Sequence, residues 1–182
     1  MKDLVQLVEP MIPALRRYAR ALLHDRAVAD DLVQDCLERV ISHWMQRRDA
    51  KDTRQWVFAI LHNLAMRGLR QQSRRGLHLA LEEMDEADMS TPAPQEHRVR
   101  HQELMRALDQ LPEDQRSVLL LVSVEDMSYA EAAATLEIPI GTVMSRLARA
   151  RQRIRAMMDG EIDMPSPTDT HPAKRTTLRR LK

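Results

Sequence analysis

The chain has 182 residues, enough for one or two small domains and too few for a large multidomain enzyme. Aromatic residues make up only 3% of it and glycines number 4. Because strand-rich folds need aromatic residues and glycine turns, this composition disfavours a sandwich or barrel and predicts an all-α protein. The formal net charge of +1 excludes a uniformly basic chain, and the charges are segregated instead: acids cluster at 82–88, whereas arginines dominate 146–155 and the C-terminal tail.

The remaining sequence signals argue against an enzyme, a cofactor protein or a membrane protein. No basic-then-apolar leader and no apolar run of membrane-spanning length occurs, so we expect a cytoplasmic chain that is not embedded in a membrane. Cys36 is the single cysteine, which rules out an internal disulfide and favours a small buried hydrophobe. His97 and His101 have the spacing of a zinc-binding helix, but no third ligand is nearby, so a surface pair is favoured. We expect no catalytic residues, no metal and no cofactor.

Residues 1–75 are predicted to form a three-helix domain. Pro10 and Pro13 interrupt the apolar pattern of the first helix, which predicts a kinked or broken start. The second helix is expected at about 28–44, a polar loop at 46–53, and the third helix at about 54–74.

The second predicted helix has an apolar face and an acidic face. The residues expected to point into a bundle are Leu32, Val33, Cys36, Leu37, Val40, Ile41 and Trp44. The opposite face carries four polar side chains at spacings of three and four, namely Asp31, Gln34, Asp35 and Glu38. This face can be a solvated surface or a docking surface for a basic protein, and the helical pattern alone leaves both readings open.

The third predicted helix carries a polar and basic stripe beside its buried stripe of Trp56, Val57, Ile60, Leu61 and Leu64. The stripe consists of Asn63, Arg67, Arg70 and Arg74. Arginines at this spacing can follow a phosphate backbone, and an asparagine can reach a base edge. Arginines in a last helical turn also complement the helix dipole, which explains Arg70 and Arg74 equally well.

Two segments lack the periodicity of packed helices. Residues 76–98 contain acidic residues and prolines and are predicted to be a flexible linker, with a helical turn at 77–84. Residues 160–182 contain three prolines and end in a basic cluster, which predicts a tail that is disordered in isolation.

Residues 99–159 carry the pattern of a helix-turn-helix domain. Ser128 and Glu131 have capping-box spacing, and Pro139 and Gly141 follow where a turn is needed before the last helix. Small side chains at Ala130, Ala133 and Ala134 are expected to let the two helices approach. The last helix is predicted to bury Val143, Leu147, Ala150, Ile154 and Met157. Its outward residues, predicted to contact DNA, are Thr142, Ser145, Arg146, Arg149, Gln152 and Arg153.

Two segments resemble one bacterial family. DDLVQDCLERV at 30–40 with QWVFAILHNLAMRGLR at 55–70 resembles conserved region 2 of sigma-70-type factors. LPEDQRSVLLLVSVEDMSYAEAAATLEIPIGTVMSRLARARQRIR at 111–155 resembles region 4. The order of these segments is similar to that of extracytoplasmic-function (ECF, group IV) sigma factors, the minimal type with only two domains. The resemblance implies an RNA polymerase sigma factor with a region 2 bundle and a region 4 helix-turn-helix.

The resemblance also implies partners for each surface. The acidic stripe Asp31, Gln34, Asp35 and Glu38 takes the position that binds the β′ clamp helices of core RNA polymerase. Loop 46–53 lies where the family captures a flipped base of the −10 element, and the third helix where −10 duplex is read. Region 4 meets the β flap and reads the −35 element through its last helix. An anti-sigma factor is expected as a further partner.

Several residues depart from the family pattern. Met144 follows the GTV triplet where a basic residue is common, Ala148 is smaller than its usual counterpart, and Glu137 stands at a turn position often held by glycine. A left-handed Glu137 costs on the order of 1 kcal/mol. Loop 46–53 lacks the usual glycine and aromatic residues. Trp44, Trp56 and Phe58 are predicted to be buried, which leaves few aromatic side chains to stack on melted DNA.

Two other classes of protein fit the residues alone. A stand-alone helix-turn-helix regulator would bind its operator tightly without polymerase. A purely protein-binding helical adaptor would tolerate loss of Arg149.

Overall fold

The computed structural model describes residues 2–23, 25–46, 53–75 and 95–159. Within these ranges every regular element is a helix, which confirms the all-α prediction. The α-helices are α1 Lys2–Val8, α2 Ile12–Leu23, α3 Arg26–His43, α4 Thr53–Arg75, α5 Gln95–Asp109, α6 Glu113–Ser123, α7 Tyr129–Leu136 and α8 Ile140–Met158. We call α1–α4 the first unit and α5–α8 the second unit.

The start of the first unit is broken as the prolines predict. A 3-10 turn, Glu9–Met11, contains Pro10 and separates α1 from α2. Pro13 falls in the first turn of α2, where a missing N–H costs no helical hydrogen bond. The next helix, α3, is capped by Asp25, whose carboxylate accepts a hydrogen bond from the Val28 N–H at 3.0 Å.

The core of the first unit is formed where α2, α3 and α4 pack together. Tyr18 and Phe58 are fully buried and meet edge to face, with ring centroids 5.7 Å apart. The prediction for Phe58 is therefore confirmed, but Trp44 and Trp56 are only half-buried, with ring centroids 6.3 Å apart. Their incomplete burial leaves some indole surface accessible on the α3–α4 side of the unit.

The buried stripe of α3 is narrower than the sequence pattern suggests. Ala29, Val33, Cys36 and Val40 are buried, at spacings of four and three. Ile41 was predicted to be part of this face but is 57% exposed. One residue beyond Val40 is a rotation of about 100° around the helix, which carries Ile41 off a stripe only two positions wide.

The second unit contains the predicted helix-turn-helix, α7 and α8. The Ser128 hydroxyl accepts a hydrogen bond from the Glu131 N–H at 3.2 Å, while the Glu131 carboxylate accepts one from the Ser128 N–H at 2.8 Å. This reciprocal pair is the predicted capping box. At the other end of α7, Glu137 has φ 54° and is left-handed, as its turn position implied.

The packing face of α7 differs from the prediction. Ala130 and Ala134 are exposed, and Ala133 is half-buried. The residues buried on α7 are Ala132 and Thr135, three positions apart and therefore on one face of the helix. Of the three alanines that the sequence pattern suggested, Ala133 packs partly buried against the core, whereas Ala130 and Ala134 face solvent.

The two units pack directly against each other, which the sequence did not predict. Helix α2 contacts α6, helix α4 contacts α7, and one continuous cluster of buried apolar residues runs through both units. The predicted linker and tail lie almost wholly outside the described residues, as does loop 46–53 apart from its two ends. The linker's last residues are helical, because α5 begins at Gln95, four residues before the predicted domain start.

Candidate functional site

The acidic face of α3 is fully presented to solvent. Asp31, Gln34, Asp35 and Glu38 are all exposed, and the buried stripe lies on the opposite side of the helix. Gln34 donates a hydrogen bond to Glu38 at 3.3 Å. The ion pairs that α3 makes with α2 in the described part of the chain involve Asp30, whose carboxylate lies 3.1 Å from Arg20. The stripe therefore keeps its negative charge available for a partner.

The polar stripe of α4 lies beside a shallow groove between α3 and α4. Asn63, Arg67 and Arg70 are exposed, and the side chain of Arg74 lies outside the described residues. The groove is lined by Arg39, His43, Trp56, Ile60, Asn63 and Arg67. An amide, three basic side chains and a half-buried indole thus line one surface, the combination that a nucleotide with its phosphate requires.

Two residues that line the groove, Arg39 and His43, were not among the DNA-binding residues predicted from the sequence. They are four residues apart at the end of α3, and the Nδ1 of His43 donates to the Arg39 carbonyl oxygen at 2.9 Å. This bond turns the other ring nitrogen away from the helix backbone. Basic residues at i and i+4 just before a predicted base-binding loop were the available signal.

The opposite side of α4 carries a polar pair in which Tyr18 is buried and His62 is half-buried. His62 Nδ1 lies 3.0 Å from the Tyr18 hydroxyl. Burial, together with the nearby positive charges of Arg70 and Arg146, lowers the pKa of His62 to about 4. Burial also raises the pKa of Tyr18, so the phenol is protonated and donates to the neutral imidazole. His62, which looked isolated in sequence, is therefore a structural hydrogen-bond acceptor.

Helix α8 separates its core residues from its outward residues as predicted. Val143, Leu147 and Ala150 are buried, and Ile154 and Met157 are half-buried. The outward set divides into four exposed residues and two half-buried ones. The exposed ones are Ser145, Arg149, Gln152 and Arg153, and the half-buried ones are Thr142 and Arg146.

The half-buried members of this outward set are held within the second unit. Arg146 Nε lies 3.1 Å from a carboxylate oxygen of Asp114 on α6. The Thr142 carbonyl accepts a hydrogen bond from the Ser145 hydroxyl at 3.1 Å. The ion pair fixes the direction of the guanidinium while its other N–H groups stay available for a ligand. Met144 and Ile140, at 52% and 50% exposure, add an apolar edge beside this polar face.

The described residues contain neither a reactive thiol nor a metal-binding arrangement. Cys36 is buried, as predicted, and its thiol donates to the Val57 carbonyl at a sulfur–oxygen distance of 3.6 Å. Burial raises its pKa to about 12, which keeps it a thiol at neutral pH. In the described ranges no group of three or more His, Cys, Asp or Glu side chains could hold a metal ion. The structure describes the backbone of His97 and His101 but not their side chains.

None of the helices described is long and apolar enough to cross a membrane.

Comparison with known protein families matches both units. Residues 8–62 match the family model for the Sigma2 domain of PhyR, and residues 101–154 match that for Sigma-70, region 4. The ECF RNA polymerase sigma factor EcfG of Rhodopseudomonas palustris is 35% identical over 164 residues, which cover 87% of each chain. The RNA polymerase sigma-E factor of Streptomyces coelicolor is 34% identical over 142 residues, which cover 78% of each chain.

Solved structures of sigma factors share the same arrangement of helices. The sigma factor RpoE of Bartonella quintana, crystallised with the anti-sigma factor NepR, superposes with a TM-score of 0.71 at 28% identity and covers 90% of this chain and 100% of its own. CnrH, in complex with the cytosolic domain of CnrY, superposes with a TM-score of 0.63 at 25% identity, covering 87% of this chain and 89% of its own. With both regions matched in order and a relative this similar over most of its length, the chain belongs to the extracytoplasmic-function sigma factors, which bind core RNA polymerase and direct it to promoters.

Proposed function

We propose that this sigma factor binds core polymerase and the two promoter elements through three separate surfaces. The α3 stripe (Asp31, Gln34, Asp35, Glu38) binds the clamp helices of the β′ subunit. The face of α4 with Asn63, Arg67, Arg70 and Arg74 reads the −10 element, and the outward face of α8 reads the −35 element. The observation that carries the proposal is that acidic and basic side chains are exposed on separate helix faces, each backed by a buried core.

Charge and burial support the assignment of α3 to the polymerase. A DNA-reading helix cannot present Asp31, Asp35 and Glu38 to phosphates, because like charges repel. An exposed acidic row suits a basic protein surface. Ile41, which lies one turn beyond Glu38 and is exposed, can extend the same contact with an apolar group.

The groove between α3 and α4 suits a single promoter nucleotide. Asn63 supplies an amide for a base edge, Arg39 and Arg67 supply charge for a phosphate, and Trp56 supplies a partly accessible ring. Two groove residues, His43 and Trp56, each lie three residues along the chain from an end of segment 46–53, where the family captures a flipped base. We therefore add Arg39 and His43 to the proposed −10 surface.

The −35 element is assigned to α8 by its exposed polar row. Thr142 and Ser145 lie in the first two turns, where a recognition helix meets base edges, whereas Arg149, Gln152 and Arg153 lie further along and suit phosphates. Met144, exposed among them, can contact a thymine methyl group where relatives place a basic residue.

We further propose that an anti-sigma factor controls this chain, because the structures it resembles were solved with such partners. The chain acts in the cytoplasm, where its polymerase is, and contributes specificity without a catalytic step of its own.

In vitro transcription and binding to purified core enzyme test the assignments of α3 and α8. We expect Asp35→Ala to weaken core binding about tenfold, since one charge of a protein interface is lost. Arg149→Ala is expected to weaken −35 recognition about 5- to 100-fold, with core binding unchanged. Glu103→Ala and Arg106→Ala, exposed on α5, are the matched controls.

Two results would contradict the proposal. If the wild-type chain binds promoter DNA as tightly without core enzyme as with it, the protein acts as a stand-alone regulator. If Arg149→Ala leaves promoter choice and affinity unchanged, α8 does not read the −35 element.

A further inference from the structure

The contact between the two units is centred on one buried carboxylate. Glu125 lies in the turn between α6 and α7, and its side chain is 1% exposed. Arg17 of α2 donates to both of its carboxylate oxygens, from Nε at 2.9 Å and from Nη2 at 3.0 Å. Arg54 of α4 donates to the same side chain at 3.4 Å and to the Glu125 carbonyl oxygen at 2.6 Å. Two arginines of the first unit thus hold one acid of the second.

The backbone around Glu125 directs this acid towards the first unit. The N–H groups of Val124 and Glu125 both bond to the Leu120 carbonyl at 3.0 Å, and Met127 bonds back to Leu121 at 3.0 Å. Asp126 adopts φ 52° to complete the turn. The carboxylate is buried and Arg17 is half-exposed. A bidentate arginine–carboxylate pair with one partner fixed and buried is stronger than a fully exposed ion pair.

A second cross-unit bond lies beside the first. Arg116 of α6 donates to the Leu22 carbonyl oxygen, in the last turn of α2, at 3.2 Å. The last carbonyls of a helix have no partner within the helix, so this arginine caps α2 from the other unit. Arg116 also donates to the carbonyls of Asp109 and Leu111, at 2.9 and 3.0 Å, which hold it in place within the second unit.

We call the arrangement in which the two units pack against each other the closed state. In this state the two proposed reading helices lie too close together to reach both promoter elements at once. Helix α4 packs on α7 and α7 packs on α8, and each packing step spans about 10 Å. The −35 and −10 elements lie about 25 base pairs apart, which is about 85 Å at about 3.4 Å per base pair. With half the length of each reading helix added, about 17 Å for the 23 residues of α4 and about 14 Å for the 19 residues of α8, the closed molecule spans about 50 Å and falls short of both elements.

Closure leaves the reading residues themselves uncovered. Asn63 and Arg67 are exposed on the side of α4 away from Arg54 and His62, and Arg149 and Arg153 are exposed on α8. The closed state therefore blocks a promoter by the spacing of its two reading helices and not by covering them.

We infer that Glu125, held by Arg17 and Arg54, is a latch that keeps the free sigma factor closed, and that core polymerase must release it before both promoter elements can be read. This inference rests on the proposed placement of the −10 and −35 surfaces. In the open state all three side chains return to water as ordinary surface charges, so opening leaves no charge buried without a partner. The latch is therefore reversible by a partner that binds the separated units better than the closed pair.

Distance measurement by electron spin resonance on the full chain tests the latch. Spin labels are placed at Ser42→Cys and Gln110→Cys, both exposed, while buried Cys36 stays unlabelled. The unlatched variants are Glu125→Gln and, in case that one folds poorly, Arg17→Gln at a half-exposed position. Asp126→Asn is the matched control, since it removes the neighbouring exposed charge and asparagine accepts the left-handed backbone.

We expect a single short distance for the wild type and for Asp126→Asn. The ratio of open to closed molecules should rise about 10- to 100-fold in Glu125→Gln, because a charge-assisted pair is lost. Apparent affinity for core polymerase should rise by the same factor while most wild-type molecules are closed. A long or broad wild-type distance overturns the inference, as does a Glu125→Gln distribution identical to that of Asp126→Asn.

The two proposals fail separately. If the distances shift as expected but neither the wild type nor any variant binds core polymerase, the proposed polymerase surface is wrong and the latch stands. If core polymerase binds all variants equally although the distances shift, closure does not control the polymerase and the inference is overturned.

Discussion

The two units of this sigma factor place their proposed functional residues in different ways. The second unit carries its proposed DNA-reading residues on one helix, α8, whose inner face is core and whose outer face is polar and basic. The first unit divides its surfaces between two helices of opposite charge, an acidic α3 and a basic α4. The formal net charge of +1 sums the charges of the whole chain, so it reveals neither surface.

This difference decides how far each surface can be read from sequence. Residues that share one face of a single helix recur with the helical period, so the outward-facing residues of α8 can be predicted from their spacing alone. A surface shared by two helices depends on how those helices pack. The groove lined by Asn63 of α4 and by Arg39 and His43 of α3 is such a shared surface, so the sequence alone did not predict it.

Substitutions on the two faces of α8 test whether its buried face alone holds the helix in position. Leu147 is 2% exposed beneath the reading face, whereas Met144, one turn earlier, is 52% exposed. We expect Leu147→Ala to lower the free energy of unfolding by about 3 kcal/mol, because it leaves a cavity in the core. Met144→Ala should change it by no more than about 0.5 kcal/mol.

Urea unfolding of both variants measures this difference. A small loss for Leu147→Ala would mean that α8 is held mainly by contacts outside its own core. A loss for Met144→Ala as large as that for Leu147→Ala would mean that the exposed edge of α8 is covered in solution.

The fold was largely predictable because its signals are local. Pro10 and Pro13 marked the broken first helix, and Ser128 with Glu131 marked the start of α7. Each of these effects acts within one turn of the residue that causes it. The predicted packing of Ala130 and Ala134 was wrong, because an alanine-rich helix offers no contrast in polarity between its faces.

The contact between the units was not predictable, since it joins residues far apart in the chain. Arg17, Arg54 and Arg116 look like ordinary surface arginines in sequence, and Glu125 looks like one acid in a polar turn. Only the packed structure shows that the first two arginines meet Glu125 and that Arg116 reaches a carbonyl of α2. The same holds for His62, whose partner Tyr18 is 44 residues away.

The His62–Tyr18 pair gives the first unit a pH dependence that can be measured. The folded-state pKa of His62 is about 4, whereas an unfolded histidine titrates near pH 6.5. As the pH falls below 6.5, His62 becomes protonated in the unfolded chain but stays neutral in the folded chain. Proton binding therefore favours the unfolded state, and the free energy of unfolding falls with pH. We expect a loss on the order of 2 kcal/mol between pH 7 and pH 5, before most carboxylates titrate.

His62→Gln is the matched variant, because glutamine does not titrate and its carbonyl can still accept from Tyr18. The stability of His62→Gln should be nearly flat over the same pH range, as measured by urea unfolding. Parallel pH curves for the variant and the wild type would show that His62 is not the source.

The smallest effect concerns the two left-handed residues of the second unit. Glu137 ends α7 at φ 54°, with the N–H of Ile138 bonding back to the Ala133 carbonyl at 3.1 Å. Glycine adopts this backbone without a Cβ clash, so Glu137→Gly is expected to raise the free energy of unfolding by about 0.5–1 kcal/mol. Asp126→Gly, at φ 52°, should gain less, because aspartate tolerates this conformation better than glutamate. Thermal unfolding of the two variants compares them directly. An equal or larger gain in the free energy of unfolding at Asp126 would mean that the turn beside Glu125 is more strained than the end of α7. The backbone strain of the second unit would then lie at its contact with the first unit and not in its helix-turn-helix.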